Sequence, residues 1–189
     1  MKIAEIEVGE IFVPLVTPFK TALRTVEAIE DIVVKITADT GETDGIMQKL
    51  HSCIQKNSSA KACVDMAVYD LFGKRYGAPL YRLLGGYRRE LETDLTISVN
   101  PVDEMVRDSL AAVKRGFRIL KIKVGKEGEK DIARIAAIRD AVGKDVKIRV
   151  DASQGWTAKE AVRILSVMER EGLAIELCEQ PVKAHDIDG

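Results

Sequence analysis

Leu120-Lys121-Ile122-Lys123-Val124-Gly125 places two lysines two residues apart inside a run that is otherwise apolar and ends on a glycine. Alternate residues of a β-strand share a face, so both lysines point the same way while Leu120, Ile122 and Val124 point the other. Two comparable runs follow, Val146–Val150 leading into Asp151 and Ala174–Leu177 leading towards Glu179, and one precedes, Leu95–Val99. Amphipathic stretches at Val102–Arg115, Glu129–Val142 and Thr157–Glu171 separate them. Buried strands alternating with helices are the pattern of a parallel α/β sheet. Lys123 and Asp151 are 28 residues apart, Asp151 and Glu179 are 28 again, and Thr96 precedes Lys123 by 27. A fixed βα period of this size is what a (β/α) barrel produces. A doubly wound sheet gives a similar period, but no G-x-G-x-x-G follows any of these strands, which disfavours a dinucleotide site.

Upstream of residue 92 the texture is different. Residues 2–16 alternate as a strand, Asp31–Ala38 reads as a second one ending in the turn signal Asp39-Thr40-Gly41, and Pro18–Thr25 reads as a loop between them. The period turns helical from Ile46. Ser58–Tyr76 reads as a helix capped by its serine, with Ala62, Met66, Tyr69 and Phe72 as its apolar positions, and the stretch from Ala78 to Leu84 as a short helix stopped by Gly85 and Gly86.

Composition narrows the function. The 189 residues carry 29 Lys and Arg against 30 Asp and Glu, a net charge of −1, so no basic footprint for nucleic acid is present. No run of apolar residues is long enough for a membrane span, and the start MKIAEIEVGE alternates charged with apolar residues rather than forming a signal peptide, so a cytoplasmic location is expected, with neither nucleic acid nor membrane as partner. Cys53, Cys63 and Cys178 are scattered and read as reduced, buried thiols. Two histidines leave little material for a zinc site or a Ser-His-Asp triad.

In a parallel barrel the C-terminal strand ends surround the active-site mouth. Lys121, Lys123, Asp151 and Glu179 belong there, and the carboxylates offset lysines that would otherwise be buried at great cost. A structural ion-pair cluster is the bland alternative. Carboxylates without His or Cys neighbours suit a hard ion such as Mg²⁺, which could bind a substrate carboxylate and stabilise the enediolate left when an α-proton departs. Lys123 would be the base, its pKa brought from about 10.4 towards roughly 7–8 by the neighbouring positive charge, and Lys121 would stay charged and support the oxyanion.

LKIKVG (120–125), RVDASQGW (149–156) and ELCEQP (176–181), in that order and spacing, resemble the muconate-lactonizing subgroup of the enolase superfamily. FKTALRT (19–25) and LETDLTISVN (91–100) further resemble that subgroup's L-Ala-D/L-Glu (dipeptide) epimerases. The resemblance implies an α+β capping domain over residues 1–92 followed, over 93–189, by the first half of a TIM-type barrel, about four βα units. It implies an Mg²⁺-dependent isomerase that epimerises a small dipeptide through a metal-stabilised enediolate, and a homo-oligomer for the full-length protein. Lys123 becomes one of two acid/base lysines and Asp151 and Glu179 two of three Mg²⁺ ligands. Arg24, Thr96 and Lys121 become substrate-pocket residues, with Arg24 meeting the acidic side chain of the dipeptide, for which guanidinium geometry is suited. Cycloisomerases, o-succinylbenzoate synthases and N-acylamino acid racemases share these motifs, and a non-catalytic fragment that needs a partner chain is the reading from a different class.

Two features depart from the family pattern. Gly41–Gly45 runs straight into a helix where relatives carry several dozen further residues, and the third metal carboxylate and the opposing lysine belong to strands beyond the four seen here. A half barrel leaves strand edges and apolar surface uncovered. The expectation is therefore a chain incomplete for catalysis. Ser153 stands where many relatives carry Asn, Trp156 reads as packing beside the site, Cys178 should face away from Glu179, and His185 reads as a surface residue.

Overall fold

In the computed structural model, which describes residues 3–38, 44–88 and 90–189, the chain divides into two units. One comprises residues up to Pro14 together with Ala28–Leu91, and the other comprises Leu15–Glu27 with Glu92–Gly189.

In the first unit lie most of the strand pair β1 (Ile3–Lys20) and β2 (Thr25–Ala38), and the helices α1 (Asp44–Cys53), α2 (Ser58–Tyr76) and α3 (Leu80–Leu83). The expected loop at 18–25 shrinks to four residues, because the strands run on to Lys20 and resume at Thr25. Thr21 closes the turn, its N–H donating to the Arg24 carbonyl while its Oγ1 accepts the N–H groups of Leu23 and Arg24. Apolar side chains of the pair, among them Ile6, Val8 and Ile32, are exposed. Ser58 is not a cap: Asn57, in left-handed conformation with φ 48°, precedes the helix and makes no side-chain cap bond. Val68 and Gly73 are the buried positions of α2, while Met66 faces outward and Cys53 of α1 is exposed. The expected turn at 39–41 and the first three residues of the shortened segment 41–45 lie outside the described residues, and Asp44 opens α1.

The second unit is a four-stranded, fully parallel sheet in the order β3 (Leu95–Ile97), β4 (Ile119–Lys123), β5 (Lys147–Asp151), β6 (Ile175–Glu179). The crossover helices are α4 (Val102–Lys114), α5 (Gly128–Val142) and α6 (Ala158–Arg170). Leu120 and Ile122 of β4, Val124 just beyond it, and Ile148 and Val150 of β5 are fully buried with Met105, Ile135, Ile138, Ile164 and Met168 of the helices. Each such side chain contributes about 1.5–3 kcal/mol of burial, so this one face carries most of the unit's stability. Thr157 starts α6 with a complete capping box, its hydroxyl accepting the Glu160 N–H while the Glu160 carboxylate takes the Thr157 N–H. Buried Arg139 donates to the carbonyls of Gly143, Val146, Leu173 and Ala174, tying the end of α5 to the entries of β5 and β6.

Of the strands, β6 departs from the expected full burial. Leu177 is exposed because it pairs with Arg149 on the face opposite the helices. Its register is also broken: Ile175 pairs with Ile148 but Leu177 pairs with Arg149, leaving Glu176 as the extra residue of a bulge.

Candidate active site

The register sets Lys123 opposite Asp151 and Asp151 opposite Glu179, so the three residues form one row across the C-terminal ends of β4, β5 and β6. Lys121 lies one step below Lys123 on the same face, which is opposite the helix-covered face because Leu120 and Ile122 occupy that side.

The four side chains meet. Lys123 Nζ donates to Asp151 Oδ2 at 2.6 Å, and Lys121 Nζ lies 3.0 Å from the same oxygen and 2.6 Å from Glu179 Oε2. The other Asp151 oxygen accepts the Ser153 N–H at 2.8 Å and the Ser153 hydroxyl at 2.9 Å, and Lys123 also reaches Ser153 Oγ at 3.3 Å. Asp151 is therefore saturated with donors although only 3% exposed. Burial by itself would push its carboxyl up, but the hydrogen bonds from Lys123, Lys121 and Ser153 outweigh that and hold it at about 2. For Lys121 burial acts downward and the two carboxylates act upward, and the net direction is up, so it remains an ammonium. Glu179 is half exposed.

Aromatic cover comes from the hairpin tip. The Phe19 ring centroid is 5.6 Å from Lys123 Nζ, within cation–π range. That tip is stitched to the exit of β3: the Lys20 N–H donates to Ser98 Oγ, the Val99 N–H to the Lys20 carbonyl, and Lys20 Nζ to Asn100 Oδ1 at 2.9 Å. Phe19 was visible in sequence only as part of the FKTALRT resemblance, and its ring position follows from these long-range bonds.

The remaining expected residues are placed differently. Thr96 pairs in register with Lys121 and so shares its face one strand away, and it also lines an open groove of about 460 Å³ with Phe19, Ser98 and Asn100. Arg24 is exposed at the hairpin turn, and among the described residues its guanidinium makes no hydrogen bond or ion pair, so it is not brought into the lysine–carboxylate cluster. Cys178 pairs with Val150 and packs on the helix side, its thiol pushed up to about 11 by burial and by the Asp151 charge. His185 is exposed.

Asp151 and Glu179 are the carboxylates that could hold a cation. Their oxygens already converge on one positive centre, Lys121 Nζ, and an all-oxygen pair matches the donor preference of Mg²⁺. They are a pair and no more: among the described residues no three His, Cys, Asp or Glu gather into a metal group.

Two family models match the chain: the mandelate racemase / muconate lactonizing enzyme N-terminal domain over residues 39–85, and the enolase C-terminal domain-like family over residues 104–189. The chain is similar to the L-Ala-D/L-Glu epimerase of Clostridium acetobutylicum, with 48% identity over 228 positions that take in 100% of the chain and 64% of the relative. Because that alignment is longer than the 189-residue chain, several dozen positions of the relative have no counterpart within it. Among solved structures it resembles a substrate-liganded complex of the L-Ala-D/L-Glu epimerase from Bacillus subtilis, with a TM-score of 0.96 and 43% identity, covering 100% of the chain and 64% of that protein. It also resembles a dipeptide epimerase from Enterococcus faecalis complexed with Mg and the dipeptide L-Leu-L-Tyr, at a TM-score of 0.89 and 34% identity, covering 100% and 63%. The chain thus spans less than two thirds of the length of these relatives.

Proposed function

The chain belongs to the enolase superfamily, in its mandelate racemase / muconate lactonizing branch, and on that premise we propose that its chemistry is the Mg²⁺-dependent epimerisation of dipeptides of the L-Ala-D/L-Glu type. The observation that carries this reading is the convergence of Lys121, Lys123, Asp151 and Glu179 at one strand-end mouth. In this reading residues 1–92 form the capping domain, shortened near 41–45, and 93–189 form the first half of the barrel. The protein works in the cytoplasm, as a homo-oligomer at full length.

Asp151 and Glu179 would hold the Mg²⁺ ion. Once bound, the ion would supply Lewis-acid polarisation of a substrate carboxylate. Lys123 removes the α-proton of the acidic residue from one face. Phe19 beside it covers the Nζ that takes the proton, and Asp151 and Ser153 fix its direction. Lys121, kept cationic, receives the developing oxyanion charge. Thr96 and Arg24 serve the substrate, Arg24 by pairing with the acidic side chain from the exposed hairpin turn, where its guanidinium is free of other partners among the described residues.

The test combines this chain with the part of the Clostridium relative that it does not match, in D₂O with Mg²⁺ and L-Ala-L-Glu. Deuterium should enter at the glutamate α-carbon. No exchange with any Ala-Glu dipeptide, alongside turnover of an N-acylamino acid or a muconate, would replace the epimerase reading with another activity of the same branch.

A further inference from the structure

Behind the row of site residues lies a carboxylate that takes no part in it. Asp131, in the first turn of α5, is 0% exposed. Its Oδ2 accepts two donors at once, the Gly125 N–H at 2.9 Å and the Trp156 indole N–H at 3.2 Å, while Oδ1 takes Arg134 at 2.8 Å. Arg134 reaches on to Glu127, so the buried charge is paired and its pairing extends to the surface.

The two donors on Oδ2 belong to different loops. Gly125 follows Lys123 by two residues in the loop from β4 to α5, and Trp156 follows Ser153 by three in the loop from β5 to α6. These loops touch backbone to backbone. Gly125 has φ +92°, and a Cβ there would collide with the Ala152 carbonyl, while a Cβ at Gly155 would collide with the Gly125 carbonyl. The Val124 N–H also donates to the Asp151 carbonyl at 2.9 Å. An apolar side chain would fill the same space without the cost of burying a charge, so packing alone does not account for an acid here.

We propose that Asp131 is a positioning residue: by holding the Gly125 amide and the Trp156 indole on one oxygen, it locks together the loops that carry Lys123 and the Asp151–Ser153 pair and so sets the spacing between base and carboxylate. Ser153, with φ 46°, sits in a conformation unfavourable for a side-chain-bearing residue, and needs such support to keep its N–H on Asp151. Its functional consequence rests on the reading of Lys123 and Asp151 as chemical groups. The coupling itself is measurable without metal or substrate, so either can fail while the other stands.

Residue-resolved amide hydrogen exchange on the 189-residue chain tests it, comparing the unaltered chain with Trp156→Phe, which keeps an aromatic ring and removes the donor, and with Asp131→Asn, which keeps the shape and removes the charge. The Gly125 and Ser153 amides should exchange about tenfold faster or more, while the strand amides of Ile122 and Val150 keep their protection. Trp156→Phe carries the test if Asp131→Asn fails to fold. Acceleration at Gly125 without Ser153, no change at either, or equal acceleration at all four amides would overturn the proposal, the last showing that Asp131 serves global stability alone.

Discussion

Two clusters of charge lie on the same face of the parallel sheet, one nearer the C-terminal strand ends than the other. The lower joins Lys147, Arg149, Glu176 and Asp94: Arg149 donates to Glu176 at 2.7 Å and lies 3.2 Å from Asp94, and Lys147 lies 3.1 Å from Glu176. The upper joins Lys121, Lys123, Asp151 and Glu179. Each has two cations and two acids, yet they differ in ways that bear on chemistry. The lower is held by a guanidinium, which does not lose its proton, and its side chains are between 24% and 57% exposed. In the upper cluster, the Lys123 and Asp151 side chains are 11% and 4% exposed, the cations are lysines, and both share one carboxylate oxygen. A structural ion-pair cluster, the bland reading open to both, describes the lower one fully. It leaves unexplained why the upper one buries a base-capable amine at a strand end.

The difference can be broken by mutation. Asp151→Asn leaves two largely buried ammonium groups short of a partner and should cost about 3 kcal/mol in urea unfolding, the scale for opening a buried pair. A loss below about 1 kcal/mol would put the upper cluster on the same footing as the lower. The same carboxylate sets an acid response. Its pKa falls from an ordinary 3.8 to about 2 on folding, so its stabilisation is complete above pH 3.8 and drains away as the pH drops towards 2. Acid titration of stability should lose that slope in Asp151→Asn. Glu176→Gln, by contrast, should cost about 0.5 kcal/mol, and that cost should vanish in about 1 M salt, where screening reaches about 3 Å. The smallest effect concerns the opposite face: Cys178, with its thiol pushed up to about 11, should be labelled by a thiol reagent at pH 8 far more slowly than exposed Cys53.

The upper cluster was legible in the sequence and the lower was not. A repeat of 28 residues puts Lys123, Asp151 and Glu179 at the same height on successive strands, and the register bears that out directly. Lys121 followed from strand alternation. Alternation also places Glu176 with Cys178 on the helix side, which is wrong: the bulge between Ile175 and Leu177 turns Glu176 towards Arg149. A bulge depends on pairing with a neighbouring strand, and a single strand's sequence carries little trace of it. Phe19 above Lys123 depends on bonds between residues some 80 positions apart, such as Lys20 to Asn100, and Asp131 on two loops meeting. Arg24 was legible as a residue of the loop between the first two strands, but its separation from the cluster was not, since the turn is set by how Thr21 closes the hairpin.

Lys123→Arg is the most direct test of the central claim that the upper cluster is the chemical one. Arginine keeps the positive charge beside Asp151 and so keeps the ion pair, but it cannot give up a proton at ordinary pH. In the Mg²⁺ and L-Ala-L-Glu assay, with the unmatched part of the relative supplied, α-proton exchange on the face served by residue 123 should fall by about a thousandfold or more, the scale of a lost general base, with urea stability held. Exchange that persists on that face in the folded variant would contradict the account.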